Sequence, residues 1–282
     1  MRMKNINGFL KMALGGCLAC GVASATTFTY DFTGTQASND QYSNSSPYSV
    51  GACTDGTGAS GCATGSAVTG NVTTYALSND GGTNTGSTNK NSGATGSLGT
   101  LVAATLGQYT GLGLGVCNNN EGGAGCGSPQ HQVDNNNGAD DFVLFVFSTP
   151  VNISSISLVQ YANDLGSGGS NDASNVDMNF TYWTGSSLSS LLGTSPADGT
   201  NVTVSNCTSQ GVICSEAIAP QDVSYLLVAA SYDTNQTDDF FKISGIDANK
   251  IATPEPASFG MIGLALLGLG FAGRRKFLSG KN

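Results

Sequence analysis

Phe142-Val-Leu-Phe-Val-Phe-Ser148 is apolar at almost every position. A β-strand turns successive side chains to opposite faces, so such a run must be covered on both sides. The chain therefore has to supply two layers around one central strand. Val223 to Tyr232 is a second run of this two-faced kind. Elsewhere the pattern alternates. Phe28, Tyr30 and Phe32 point one way with Thr27, Thr29 and Asp31 opposite, and Met178, Phe180 and Tyr182 do the same within Val176 to Trp183. Alternation of this type marks half-buried strands. Val68 to Leu77, Ile153 to Tyr161, Val202 with Val204, and Phe240 to Ile246 read as further strands. Pro150 is predicted to stop the central strand, because proline cannot donate to a ladder. Leu101 to Val116 reads as two strands around Gly107. Residues 34–66 and 79–99 are loops rich in Gly, Ser, Thr and Asn. The sum is eight to eleven short strands and no long helix. That predicts an all-β fold, an antiparallel β-sandwich with long Gly/Ser/Asn-rich loops.

Both ends of the chain are of a different character. Arg2, Lys4 and Lys11 precede a short apolar run that ends in Ala23-Ser24-Ala25. This is a signal-peptide pattern with cleavage before Thr26, and it implies the Sec translocon and signal peptidase. At the other end, Pro254-Glu255-Pro256 is an extended tripeptide, since proline disfavours helix at the residue before it. Ala257 to Gly273 is then 17 residues without a charge, followed by Arg274, Arg275 and Lys276. As a helix those 17 residues would cover roughly 25 Å, a short membrane span, and the cations would stay on the cytoplasmic side. Composition alone fits a permanent anchor. The five glycines inside the run weaken the helix, or form a small-residue packing face.

The order of these three parts resembles the PEP-CTERM sorting signal of Gram-negative bacteria. The resemblance covers residues 253 to 276 and implies recognition by an exosortase, a membrane-embedded processing enzyme. Pro254, Glu255 and Pro256 are then recognition residues in a substrate. It also implies a transient stay in the inner membrane and release to the cell surface or an extracellular matrix, in bacteria that make exopolysaccharide. Asp140-Asp141 through Pro150 to Tyr161, within residues 134–183, resembles exosortase-dependent surface proteins that carry the same tail. That implies a secreted β domain. The expected organisation is a signal peptide at 1–25, a secreted domain at 26–252 and the sorting signal at 253–277.

Once both ends are set aside, Lys90, Lys242 and Lys250 face 18 acidic residues between positions 26 and 253, a net charge of −15. Such a field repels nucleic acid and anionic lipid and attracts cations. Nucleic-acid binding is excluded on this ground. Six cysteines remain in the exported part, in three close pairs. An oxidising compartment favours disulfides, and proximity favours Cys53–Cys62, Cys117–Cys126 and Cys207–Cys214 among 15 connectivities. Zinc is disfavoured, because Cys-x-x-Cys is absent and His131 is the single histidine.

Two acidic clusters are candidates for chemistry. Asp134-Asn135-Asn136-Asn137-Gly138-Ala139-Asp140-Asp141 precedes the central strand, and Asp233 to Asp239 precedes the last one. Asp134, Asn136, Asp140 and Asp141 supply oxygens and a turn of the kind calcium needs, although not at EF-hand spacing. The competing reading is that Asp and Asn simply build turns. No other cofactor is expected. Trp183 with Tyr182 is a candidate sugar platform, since aromatic rings combine apolar area with polar edges; the competing reading packs both in the core. No Gly-x-Ser-x-Gly elbow is present, and adjacent carboxylates on a strand point apart, so an enzyme is not expected. The reading that results is an exported surface or matrix protein, structural or adhesive in an exopolysaccharide layer. The alternatives are a secreted polysaccharide-binding or polysaccharide-degrading protein and a permanently anchored surface protein.

Overall fold

In the computed structural model the described residues are 27–33, 40–42, 47–53, 68–79, 98–117, 132–135, 140–160, 178–204, 207, 211–231 and 239–250. All belong to the compact unit Thr26–Ile251. Residues 1–26, with the expected cleavage positions Ala23, Ala25 and Thr26, and everything after Lys250 lie outside the described residues. Among the described residues, no helix is long and apolar enough to cross a membrane.

Fourteen strands are described. They are β1 (Thr27–Asp31), β2 (Asp40–Tyr42), β3 (Tyr48–Cys53), β4 (Val68–Ser78), β5 (Val102–Ala103), β6 (Thr105–Tyr109) and β7 (Gly113–Cys117), followed by β8 (Val133–Asp134), β9 (Asp141–Val159), β10 (Phe180–Gly185), β11 (Thr200–Val202), β12 (Ile213–Ala217), β13 (Val223–Ala230) and β14 (Phe240–Lys250). The one α-helix described, α1, spans Leu188–Leu192. Every ladder is antiparallel, as the sequence predicts.

The order along the sheet is β11-β10-β13-β9-β4-β3-β1-β14-β7-β6-β2, and β9 also pairs with β14. The path β9-β4-β3-β1-β14 therefore closes on itself through β9. Pro150 does not stop the central strand; β9 runs through it for 19 residues. Its first part pairs with β13 and β4, up to Phe147 opposite Val72. From Val151 onward it pairs with β14, and from Ser155 also with β12. Ser148, Thr149 and Pro150 between these parts are exposed. Proline is tolerated here because the ladder is already interrupted. Ile153 to Val159 is thus the continuation of the central strand rather than a separate one. One strand serves both layers, which is how a corner is made when sheets are stacked.

The two-faced run divides its side chains as the sequence requires. Val143, Phe145 and Phe147 enter the main core with Phe28, Tyr30, Phe32, Phe180, Phe241 and Ile246. Phe142 and Leu144 point the other way, into a second cluster with Trp183, Leu191, Leu227 and Leu98. The cover on that side is α1 and the 3-10 turn Leu98–Thr100, joined where the Leu98 amide donates to the Thr194 carbonyl at 3.0 Å. α1 starts at Ser187, whose hydroxyl caps the Ser190 amide at 3.1 Å.

The turn between β6 and β7 is Thr110-Gly111-Leu112, with Gly111 at φ +74°. Gly107 lies inside β6, opposite Gly115. A Cβ at Gly107 would meet the Tyr109 ring at 2.6 Å. Gly107 therefore makes room for an aromatic rather than a turn. β2 and β3 fall within the stretch that composition marks as loop.

Candidate functional site

The sequence points to acidic clusters, aromatics, cysteines and the tail, and the described members of the first three lie in different places. Asp140 is 4% exposed, and its backbone amide and carboxylate face Asn79. The Asn79 side-chain amide donates to Asp140 Oδ2 at 2.6 Å, and the Asp140 amide donates to Asn79 Oδ1 at 2.8 Å. Burial raises the Asp140 pKa from 3.8 to about 6, opposed by that Asn79 bond. Asp141 is fully buried at the start of β9. Asp134 is half-buried on β8, and Asn136 lies outside the described residues. Among the described residues, no group of three His, Cys, Asp or Glu side chains is placed to hold a metal ion.

The second cluster contributes Asp239, which is fully buried. It closes a knot of strand ends. Asn179, just before β10, donates its amide to Asp239 Oδ1 at 3.1 Å. Asn135, just after β8, donates its side-chain nitrogen to the Ser231 carbonyl at 3.1 Å and to Asp239 Oδ2 at 3.4 Å, and accepts from the Asp239 amide at 3.2 Å. Four strands are pinned together by these bonds. Asn and Asp at these positions therefore bond buried backbone groups at the strand ends. Asp233 and Asp238 lie outside the described residues, as does His131.

A buried cation is not legible in the local sequence pattern. Lys242 is fully buried on β14, with its ammonium 4.1 Å from the centre of the Tyr109 ring. A desolvated cation over an aromatic face is a favourable contact.

Trp183 is 3% exposed, and its indole N–H donates to the Pro196 carbonyl at 3.2 Å. Tyr182, on the other face of β10, is half-buried against the main core beside Phe180. These two residues are therefore not brought together on one surface. The open aromatic feature lies on the outer face of β4, β9 and β13 instead. There Tyr75 and Tyr225 flank a pocket of about 440 Å³ floored by Leu77, Leu144 and Val146, with Leu188 at its rim. Alternation could have found it: Tyr75 and Tyr225 share a face with residues that the two-faced strands leave outside the main core.

Cys207 and Cys214 are bonded, with Cα atoms 5.8 Å apart. They close the turn at Gly211 that leads into β12. Cys117, at the end of β7, is also in a disulfide, whose other half is outside the described side chains. Cys53 lies on β3, and Cys62 and Cys126 fall outside the described residues.

β14 ends at Lys250, and the remaining feature follows directly in the sequence. A PEP-CTERM protein-sorting motif matches residues 252–276, from Ala252 to Lys276. The match includes Pro254, Glu255, Pro256, Arg274, Arg275 and Lys276. A chain that carries this motif is an exosortase substrate, and the motif implies export and a surface-associated location. No curated protein matches the chain, and no solved structure does.

Proposed function

We propose that this chain is a non-catalytic component of the exopolysaccharide layer, structural or adhesive, delivered there by exosortase processing. The sorting motif at 252–276 is the observation that carries the reading. The body is consistent with it. Its described strands form one interlocked sheet stapled by a disulfide. The net charge of −15 between the two terminal segments keeps such a protein dispersed outside the cell.

Polysaccharide is the partner class. Tyr75 and Tyr225 offer ring faces and hydroxyls beside an uncharged pocket, the combination that sugar rings stack on. Signal peptidase and the Sec translocon act before it, and the inner membrane holds the tail transiently. Cell fractionation tests the proposal. An antibody against the body should find the protein in the matrix fraction when exosortase is present, and in the inner-membrane fraction when it is deleted. Equal membrane retention in both strains would favour the permanent anchor.

A further inference from the structure

The pocket beside Tyr75 and Tyr225 is short of hydrogen-bonding groups. The two rings stand on β4 and β13, on either side of β9, with Tyr75 opposite Leu144 and Tyr225 opposite Val146. Leu144 and Val146 form the floor between them, and the turn Leu98–Thr100 and α1 line the sides. No lining residue carries a charged or amide side chain. Backbone groups are committed as well. Those of β4, β9 and β13 pair in their ladders. The Leu98 amide donates to the Thr194 carbonyl at 3.0 Å, and the Leu101 amide to the Leu98 carbonyl at 3.3 Å. The two phenol hydroxyls are the polar side-chain groups of the lining. A bare pyranose carries several hydroxyls, and each one taken from water into such a site without a partner weakens binding. The volume of about 440 Å³ lies in the range that encloses small ligands.

We propose that the pocket takes a short acyl ester carried on a sugar, with the chain against Leu144 and Val146 and the ester carbonyl at the mouth. The proposal rests on the polysaccharide reading of this pocket and names the part of the polymer that is read. A tyrosine O–H donates and an ester carbonyl accepts, so one bond at the mouth serves the polar end of the ligand while its chain leaves water. The ester is neutral, as is the lining. An acyl chain could also come from a membrane lipid. The net charge of −15 between the two terminal segments opposes approach to an anionic bilayer, so the polymer is the source assigned.

The test is binding of the secreted protein to two sets of probes. Calorimetry compares methyl glucoside with its 6-O-acetyl, butanoyl and hexanoyl esters. Pull-down compares purified exopolysaccharide before and after mild alkali, which removes esters. Each added methylene should tighten binding roughly fourfold, and alkali should cut retention of the polymer about tenfold or more. Val146→Phe fills the floor, and Leu188→Gln makes the rim polar; each should weaken the hexanoyl ester about fivefold or more. Leu188 is 39% exposed, so its variant keeps the fold even where the larger phenylalanine does not, and the melting midpoint checks both. Esters bound no better than methyl glucoside overturn the proposal, as does hexanoyl binding that neither variant changes. Phosphatidylglycerol vesicles bound with the same sensitivity to Leu188→Gln overturn it too, and make lipid the source. Equal retention of the polymer before and after alkali overturns the acyl reading and leaves the polysaccharide reading standing. A polymer retained in neither form removes the polysaccharide reading itself.

Discussion

Replacing Asn135 with alanine removes the centre of the knot that joins β8, β10, β13 and β14. The side chain makes three bonds, to the Ser231 carbonyl at 3.1 Å, to Asp239 Oδ2 at 3.4 Å and from the Asp239 amide at 3.2 Å. Asn135 is 1% exposed and Asp239 is fully buried, so water does not readily replace what is lost. A neutral bond contributes about 1 kcal/mol and one to a carboxylate about 2, and a stranded buried group adds its desolvation cost. The expected loss is about 4 kcal/mol. For a domain of this size each kcal/mol moves the melting midpoint by roughly 2–4 °C, so Asn135→Ala should lower it by about 8–16 °C. Differential scanning calorimetry of the secreted protein measures this. Asn152→Ala is the control. Asn152 also accepts a backbone amide, from Asp222 at 2.9 Å, but in an exposed setting. It should cost about 1 kcal/mol or less. Equal, small shifts in the two variants would refute the claim that burial makes the Asn135 bonds strong.

Other outcomes follow from the same structure. Asp140 binds its proton more tightly folded than unfolded, because burial raises its pKa from 3.8 to about 6. Its contribution to stability is therefore fully present below pH ~4 and lost as pH rises toward ~6. Asp140→Asn should flatten that slope and stabilise the protein at neutral pH by up to about 3 kcal/mol, read from urea melts across pH. Any calcium response should survive that substitution, since Asn79 occupies the carboxylate; calorimetry that loses the calcium signal in Asp140→Asn would place the ion there. Cys207→Ser with Cys214→Ser should cost about 2–3 kcal/mol on the chain-entropy account, checked by denaturant midpoint. Trp183→Ala should lower stability by about 3–5 kcal/mol. Tyr75→Ala with Tyr225→Ala should lower the melting midpoint, since both half-buried rings pack against the second cluster, and should reduce retention on purified exopolysaccharide at temperatures where the variant is still folded; a pull-down unaffected by the tyrosine pair would remove the pocket from the proposal.

Much of the sheet was legible because burial imposes a period. Phe28, Tyr30 and Phe32 lie in the main core as their alternation requires, and the double-sided burial of residues 142–147 follows from an apolar run with no polar face. The misread positions have local causes. Pro150 forbids one hydrogen bond, but it sits where β9 exchanges partners and needs none. Gly107 suggests a boundary between two strands, because its service to Tyr109 is a contact between strand neighbours two residues apart, which composition does not display. β3 is hidden in a Gly/Ser/Asn-rich stretch, where Val50 is the strongly buried apolar side chain among those described. The knot at Asp239 was unreadable for another reason. Asn135, Asn179 and Asp239 look like loop formers locally, and only the fold shows that they face inward and bond one another. The sorting motif was the most legible feature, since its signal is a linear order of residue types rather than a contact.

The intact mass of the protein, from cells with and without exosortase, tests the central claim most directly. With the enzyme present the chain should begin at Thr26 and end near Pro254, and without it the chain should still carry Ala257 to Asn282. A mass that retains Ala257 to Asn282 in both strains would contradict it and make the tail a plain membrane anchor.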